Sequence, residues 1–299
     1  MNGIINVYKE KGYTSHDVVA KLRGILKQKK IGHTGTLDPQ AEGVLPVCIG
    51  NATKLCDLLT DKTKEYEAVL LLGVTTDTQD TTGAVLSEKT VQVEEDKLRA
   101  IMEGFVGKSR QIPPMYSALK VNGKKLYELA REGREVERKP RDIEIFSLDI
   151  LEMQLPRVRF CVHCSKGTYI RTLCQDIGEK AGCGGCMEEL LRTRVDRFSL
   201  AEAHKLSEIE QIRDAGKLSE ILIPVDQMFL SYHKVTVLEK YRLALANGNS
   251  FTAQMLADMD PADVKAADMV GTVDNTGKAD REVVEEPIEE VVEEQVEEE

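Results

Sequence analysis

A single carboxylate stands in a glycine-rich loop near the start of the chain, at residues 32–43. The loop reads Gly-His-Thr-Gly-Thr-Leu-Asp-Pro-Gln-Ala-Glu-Gly and leads into an apolar stretch at 44–49. Glycines give this backbone extra freedom, while Pro39 fixes its own φ and disfavours helix at Asp38. The pattern predicts a carboxylate held in a defined bend, where it could act as a nucleophile. The residues alone leave open an ordinary Asp-Pro turn.

The elements that must position this loop are predicted from the periodicity of apolar residues. A strand is expected at 3–8, and a helix begins near Thr14 and Asp17, which form a cap ahead of apolar residues at helical spacing. The same patterns predict strands at 44–49, 66–74, 115–121, 143–153 and 157–165, and helices at 52–59, 94–103, 125–131, 170–180 and 206–213. Strands and helices alternate without a regular βαβ rhythm, which favours an α+β fold around a mixed sheet.

Charge is distributed unevenly along the chain. The formal charge of the 299 residues is -11, which by itself argues against a nucleic-acid partner. Residues 1–200, however, carry 31 basic and 28 acidic side chains, whereas residues 280–299 carry 1 and 11. Phosphate binding depends on local basic patches, and such patches occur at 27–30, 120–125 and 131–141. An RNA partner is therefore compatible with the first 200 residues.

Composition indicates an ordinary globular chain. Apolar residues make up 41% of the sequence and aromatic residues 5%, which suits a core of common size. No stretch approaches the roughly 20 apolar residues that span a bilayer. The N-terminus lacks a basic lead followed by an apolar run. We therefore expect a cytoplasmic protein.

Several segments resemble the motifs of the TruB family of bacterial tRNA pseudouridine synthases. They are the loop at 32–43, Lys-Glu-Tyr at 64–66, Cys-Ser-Lys-Gly-Thr-Tyr-Ile-Arg-Thr-Leu at 164–173, Leu-Leu-Arg-Thr-Arg at 190–194, Pro-Pro-Met-Tyr-Ser-Ala-Leu-Lys at 113–120 and Leu-Tyr-Glu-Leu-Ala-Arg-Glu-Gly at 126–133. The resemblance covers about residues 3–230. It implies a pseudouridine-synthase fold, with a central mixed, mostly antiparallel sheet flanked by helices.

The resemblance also implies a reaction and its catalytic residues. Uridine 55 in the T-loop of tRNA would be isomerised to pseudouridine without a cofactor or metal. Asp38 is implied as the nucleophile, either at ribose C1′ or through a route that forms a glycal. Tyr66 would stack on the extruded base and help to remove the C5 proton. Arg171 would orient Asp38 and keep it ionised.

Substrate contacts are implied for a second group of residues. They are His33, Tyr169, Leu191, Lys9, Lys64, Lys120 and Arg131. Leu191 is matched to the apolar residue under the target base, but the adjacent leucine leaves its register open by one residue. The basic insertion near 122–141 corresponds to the family segment that closes over the T-arm. Its basic side chains are also typical of a solvated charged surface.

Cysteine spacing supports a competing interpretation, a zinc site. Cys161-x-x-Cys164 and Cys183-x-x-Cys186 are separated by 18 residues, inside the range for four-cysteine zinc sites. The first pair falls in a predicted strand, where residues three apart face opposite sides of the sheet. We therefore favour cysteines that pack as small apolar residues, and no bound metal.

Three parts are expected along the chain. Residues 1–232 form the catalytic domain, and 233–279 form a small C-terminal unit, with a reduced PUA-like module as one interpretation. Residues 280–299 are too poor in apolar surface to fold and are predicted to be a disordered acidic tail. On charge alone the tail could recruit a basic protein. A tRNA-folding chaperone with incidental catalysis is a second function compatible with the same motifs.

Overall fold

The computed structural model describes residues 1–121, 123–230, 236–247, 249 and 255. Two units are distinguished, Met1–Met228 and Phe229–Glu299. The strands of the first unit are β1 Gly3–Lys9, β2 Ile31–His33, β3 Glu42–Ile49, β4 Lys64–Leu72, β5 Val74–Thr76, β6 Val85–Glu88, β7 Gly107–Gln111, β8 Lys120–Val121, β9 Lys124–Lys125, β10 Arg141–Gln154, β11 Arg157–Cys164, β12 Gly185–Val195 and β13 Phe198–Ser199. Its α-helices are α1 Ser15–Leu26, α2 Cys56–Thr60, α3 Glu95–Glu103, α4 Leu126–Arg131, α5 Ile170–Lys180, α6 Leu206–Asp214 and α7 Leu218–Ile221.

One large sheet organises the first unit. Its strand order is β1-β3-β12-β4-β11-β10-β7, with β2 added to β3 and β13 to β12. The pairing of β12 with β3 is parallel, whereas the other pairs of this sheet are antiparallel. The prediction of an α+β fold with a mixed, mostly antiparallel sheet is confirmed.

Helix α5 packs on the sheet face that carries the main core. Leu70 and Phe160 on adjacent strands are buried with Leu173 of the helix in one apolar cluster. The alternating burial along β11 shows why a strand forms there, since every second side chain faces this core. A Cβ at Gly178 would lie 2.3 Å from the Gly184 backbone, so glycine permits the close approach of α5 to the start of β12.

Helix α1 begins as the sequence predicts. The Thr14 side chain accepts a hydrogen bond from the Asp17 backbone N–H, and the Asp17 carboxylate accepts one from the Thr14 N–H, which completes a capping box. The helix ends before Lys27, which adopts a left-handed conformation. Leu22 and its apolar neighbours bury one face of this helix against β1 and β3. The chain then returns through β2 toward the loop that carries Asp38.

The strand predicted at 115–121 is wrong for most of its length. Only Lys120–Val121 is strand, and it pairs with β9 in a two-residue hairpin outside the large sheet. Prolines at 113 and 114 cannot donate to a ladder, and the Ser117 N–H is used in a local turn by the Met115 carbonyl. Strand β12, at the centre of the sheet, was absent from the sequence prediction.

The remaining expectations on chain organisation fall partly outside the described residues. Within the second unit a short helix, α8 Arg242–Ala246, follows a 3-10 turn at Glu239–Tyr241. The expected unit at 233–279 is described only at 236–247, 249 and 255, and the expected tail at 280–299 is not described. The boundary at 232 stays a prediction. In the described ranges, no helix has both the length and the apolar character that crossing a bilayer requires.

Candidate active site

The loop that carries Asp38 is anchored from beneath. Leu37 is buried, and its N–H donates to the Ser15 hydroxyl at 2.9 Å. The Lys9 ammonium donates to the carbonyls of Pro39, at 3.2 Å, and Ala41. These contacts hold both sides of Asp38, whose carboxylate is left 35% exposed at the surface of a cleft. The bend predicted from the sequence is therefore a fixed platform for one carboxylate.

Arg171, in the first turn of α5, holds this carboxylate in place. Its Nε lies 2.9 Å from Asp38 Oδ2, and its Nη2 donates to Oδ1 at 3.4 Å. The same guanidinium donates to the carbonyls of Thr78, at 3.0 Å, and Tyr116, at 2.7 Å, and lies 3.8 Å from the Asp80 carboxylate. Arg171 is 5% exposed. Because its donors are shared among fixed partners, the guanidinium orients the carboxylate with little freedom to move.

Opposing influences act on the charge of Asp38. Burial raises the pKa of this carboxyl, and the nearby Asp80 carboxylate raises it further. Arg171, and to a lesser extent Lys9, lowers the same pKa by favouring the charged form. The net direction is upward, which makes the carboxylate more basic than an exposed aspartate. Arg171 favours the ionised form of Asp38, which is the form that can act as a nucleophile.

Tyr66 and Arg192 form a second buried pair beside Asp38. They are directly opposite each other in the β4–β12 ladder, and the positive charge of Arg192 acts on the Tyr66 phenol. Arg192 is 1% exposed, and its Nε donates to the Val44 carbonyl at 2.7 Å. Burial raises the pKa of Tyr66 to about 12, while Arg192 acts in the opposite direction. The phenol is therefore protonated at neutral pH and already in contact with a cation that favours the phenolate.

The parallel pairing of β12 with β3 brings this pair to the catalytic loop. Arg192 is opposite Gly43, the last residue of the loop, and a Cβ there would lie 2.2 Å from the Arg192 carbonyl oxygen. Gly43 also has φ of 106°, which other residues rarely adopt. Glycine is thus required at the point where the loop joins the strand.

The register of β12 corrects one site assignment. Residues directly opposite each other in a ladder point to the same face, and Leu190 is opposite Ala68, whereas Leu191 is opposite Glu67. Ala68 is buried in the main core, and Leu190 lines the cleft together with Tyr66. Leu191 was predicted to pack under the base, but its strand position places it on the opposite face. The adjacent Leu190 has the geometry that was expected of Leu191.

The cleft has a volume of about 710 Å³, with Asp38, Tyr66 and Arg171 among its walls. Tyr169 also lines it. Gln111 fixes the Tyr169 backbone, since its amide group accepts from the Tyr169 N–H at 2.8 Å and donates to the carbonyl at 3.0 Å. Burial raises the pKa of the Tyr169 phenol. The structure therefore gathers the three expected catalytic residues and Tyr169 in one cleft.

Two lysines expected to contact substrate are turned into the protein. Lys9 has no exposed surface, and its ammonium binds backbone carbonyls of the catalytic loop. Lys64 is also buried, and its ammonium donates to the Thr60 carbonyl at 2.6 Å and to the Lys62 carbonyl. Burial lowers the pKa of each lysine to about 8. Their contacts position loops, and direct RNA contact is not the role this geometry offers them.

The other expected substrate contacts are His33, Lys120 and Arg131, which are not among the residues that line the cleft. Nδ1 of His33 accepts a hydrogen bond from the Gly35 N–H at 3.3 Å. The His33 ring packs edge-on against the His16 ring, with 5.2 Å between the ring centroids. Burial and His16 lower the pKa of His33 to about 4, so the ring is neutral at physiological pH. Arg131 is exposed on the insertion, and Lys120 is exposed in β8 just before it. Their contact with phosphates stays a prediction.

Sequence reasoning missed Asp80 and Arg192 as parts of this site. Asp80 lies between the strand predicted at 66–74 and the helix predicted at 94–103, and its Oδ1 accepts hydrogen bonds from Thr78 Oγ1 at 2.8 Å and the Thr82 N–H at 2.9 Å. These bonds aim Oδ2 at Arg171. Arg192 lies in the Leu-Leu-Arg segment, in which only a leucine was predicted to contact the substrate. Neither residue carries a periodicity signal, because both act through contacts distant in sequence.

The cysteine pairs do not converge on a zinc site. In the sheet Cys164 is opposite Lys64, at one end of β4, whereas Cys186 is opposite Leu71, near the other end. Seven residues of extended strand separate these positions by about 23 Å. Among the residues that the structure describes, no three histidine, cysteine or acidic side chains are grouped to bind an ion. The zinc interpretation is therefore wrong for these two pairs.

Comparison with known proteins identifies related sequences. Residues 23–170 match the family described as "TruB family pseudouridylate synthase (N terminal domain)", and residues 171–230 match the "tRNA pseudouridylate synthase B C-terminal domain". The chain is 58% identical to tRNA pseudouridine synthase B of Lachnoclostridium phytofermentans, with 86% of this chain and 88% of the relative covered. It is 48% identical to the protein of the same name from Alkaliphilus oremlandii, with 86% and 85% covered.

Solved structures share the fold. One neighbour is an H/ACA ribonucleoprotein bound to a substrate RNA containing 2'-deoxyuridine, with a TM-score of 0.65 and 28% identity over 85% of this chain and 69% of that chain. Another is a Cbf5-Nop10-Gar1 complex, with a TM-score of 0.67 and 30% identity over 85% of this chain and 70% of that chain. The fold expected from the motifs is confirmed by these neighbours.

Proposed function

Because this chain belongs to the TruB family of pseudouridylate synthases, we propose that it isomerises uridine 55 in the T-loop of tRNA to pseudouridine, with Asp38 as nucleophile. Its relatives establish the activity class, a tRNA pseudouridine synthase. The observation that carries the residue assignment is the Asp38–Arg171 pair at the wall of the cleft. The identity of the target uridine rests on the family motifs.

Asp38 begins the reaction on an extruded nucleotide. A base inside folded RNA must leave its stack to reach a buried group, and the cleft of about 710 Å³ has room for one nucleotide. The bond between C1′ and N1 then breaks, the uracil turns within the cleft, and C1′ is rejoined at C5. Asp38 either adds to C1′ or removes a ribose proton to form a glycal. Arg171 holds the carboxylate for either route.

Tyr66 has two roles, stacking on the uracil and helping to remove the C5 proton. Its ring lines the cleft and offers a surface for the uracil to stack on. Removal of the C5 proton restores the aromatic ring once C5 is joined to C1′. A phenol with a pKa of about 12 must be ionised before it accepts this proton, and the nearby charge of Arg192 favours the phenolate. Leu190 borders the same space and limits how the base can turn.

The target is tested with a tRNA transcript that lacks modifications. We expect purified protein to form one pseudouridine, at position 55, without added cofactor, and a T-arm hairpin alone to be modified at the same site. A matched hairpin with cytidine at position 55 should gain none. Pseudouridine mapped to another position would contradict the proposed target while leaving the activity class intact. Absence of pseudouridine in every substrate would contradict the proposed function itself.

A further inference from the structure

An ion pair joins two walls of the cleft at its edge. Asp61 follows α2, Lys166 lies in the turn between β11 and α5, and both line the cleft. The Lys166 ammonium lies 2.8 Å from Asp61 Oδ2. The two side chains are 54% and 40% exposed, so water reaches both charges. The pair is therefore open to exchange with a ligand that enters the cleft.

The position of Asp61 is set from the interior. The buried Lys64 ammonium donates to the carbonyls of Thr60 and Lys62, the residues on either side of Asp61. The Lys64 ammonium therefore stabilises the short turn in which Asp61 lies. Gly167, with φ of 78°, allows the turn that presents Lys166 from the opposite side. The carboxylate and the ammonium are brought together by two separately fixed turns.

A phosphodiester is chemically suited to replace Asp61. Its oxygens carry a single negative charge and accept hydrogen bonds from an ammonium as a carboxylate does. A half-exposed pair contributes little net stability, because both charges are well solvated, so its opening is easy. Extruding a nucleotide into the cleft also brings its flanking phosphates toward the edge of the cleft. Arg141, exposed and lining the same cleft, adds positive charge nearby.

We propose that Lys166 binds a phosphate next to the extruded nucleotide, and that Asp61 occupies this phosphate position in the free protein. The inference rests on the proposed function, since it concerns RNA bound in the same cleft. Asp61 acts as an internal competitor that RNA must displace. RNA that presents no phosphate at this position leaves the ion pair intact and gains no contact with Lys166. The Lys166 contact therefore favours RNA whose target nucleotide is fully extruded, at the cost of breaking the pair with Asp61.

The exchange is tested by measuring how tightly the protein binds tRNA that is held in the active site without being converted. Dissociation constants are measured for wild type, Asp61→Asn, Lys166→Gln and the double variant across a salt series. Asp61→Asn should tighten binding about two- to fivefold at low salt, because the competitor loses its charge. Lys166→Gln should weaken binding about five- to tenfold at 0.1 M salt and reduce the salt slope by about one. In the Lys166→Gln background, Asp61→Asn should change binding by less than about twofold.

Asp61 makes a further contact within the protein, so a single variant of Asp61 changes more than the ion pair. The double-variant cycle isolates the effect on RNA binding that depends on Lys166. The matched control is Glu220→Gln, which removes the same charge from an exposed pair with Lys217 at 3.6 Å. It should leave the dissociation constant unchanged within error. Binding by Asp61→Asn that is no tighter than binding by the control overturns the proposal, as does equal tightening with and without Lys166. Pseudouridine formation by wild type is scored separately, so failure here is distinct from failure of the proposed function.

Discussion

The interior of the cleft and the basic insertion at 122–141 hold their charges in different ways. In the interior, Arg171 and Arg192 are almost fully buried, and each donates to backbone carbonyls as well as to its side-chain partner. On the insertion, Glu132 lies 3.3 Å from Lys124 and 3.6 Å from Arg134, and all three side chains are about half exposed. The interior charges are fixed by several contacts, whereas the insertion charges are held by few.

Because of this difference, we expect the interior charges to affect the isomerisation rate and the insertion charges to affect the affinity for RNA. A buried charge in fixed contacts is poorly screened by salt, and removing its partner leaves an uncompensated charge. An exposed charge is screened within a Debye length and contributes chiefly to attraction of the RNA backbone. Loss of an interior residue should therefore lower the isomerisation rate at any salt concentration. Loss of an insertion residue should weaken binding, and this loss should fade as salt rises.

Among the residues that support Asp38, the largest effect is expected for Arg171→Ala. Removing the guanidinium leaves the Asp38 carboxylate without its oriented donors, so the single-turnover rate should fall about 10²- to 10³-fold. Arg171→Lys keeps the charge but loses the two-pronged contact and should also be impaired. Arg159→Ala is the control, because Arg159 forms exposed pairs with Glu67 and Glu189 away from the cleft. A rate within tenfold of wild type for Arg171→Ala, in folded protein, would remove Arg171 from the site.

A smaller effect distinguishes the two adjacent leucines. Leu190→Ala should lower kcat/KM about tenfold, because a pocket that holds the base loses apolar contact. Leu191→Ala should change kcat/KM by less than about twofold, since this side chain lies on the other face of the sheet. Steady-state kinetics on the same tRNA transcript provide the comparison. Equal losses, or a larger loss at 191, would contradict the observed register.

The pH dependence of the rate reports on Asp38 directly. The carboxylate is the reactive form, so the rate should fall as pH falls through the pKa of Asp38. Asp80 raises this pKa, so Asp80→Asn should move the acid limb to lower pH. Asp77→Asn, on the same loop, serves as the control for altered loop charge. An acid limb that stays in place in Asp80→Asn, or that moves upward, would contradict the electrostatic account of Asp38.

The smallest effects are expected on the insertion. Arg131→Ala, on the insertion, and Lys120→Ala, in β8 just before it, should each weaken tRNA binding about two- to threefold at 0.1 M salt and lower the salt slope by about one. Filter binding across a salt series measures both quantities. Glu137→Gln offers a control, since it removes an exposed acidic charge from the same segment. If the alanine variants kept the wild-type salt slope, the insertion cations would not contact phosphates.

Local signals in the sequence predicted much of the fold. The capping residues Thr14 and Asp17 marked the start of α1, and the helix predicted at 170–180 coincides with α5. The order of strands could not be predicted, because the large sheet joins strands that are distant in the chain, such as β3 with β12 and β12 with β4. Strand β12 was missed since its charged residues break the apolar alternation. Those charges are tolerated because Arg192 has buried partners and Glu188 pairs with Arg157 at the surface.

The catalytic residues could be predicted where they lie in a segment that resembles a family motif. The meeting of Asp38 and Arg171 across 133 residues was expected only from resemblance to a family, and the contact is present. The orientation of side chains was not accessible in the same way, since a shift of one residue in a strand exchanges its faces. Leu191 was placed wrongly for this reason. The sequence also gave no sign that the Lys64 ammonium turns inward to bind carbonyls, although Lys64 lines the cleft.

The most direct test of the account is the isomerisation rate of Asp38→Asn at saturating tRNA. Asparagine is nearly isosteric and keeps a hydrogen-bond acceptor for Arg171, but it is no longer a nucleophile. The account predicts tRNA binding close to wild type and no detectable pseudouridine in a single-turnover assay. A rate near that of the wild type would contradict the central role of Asp38.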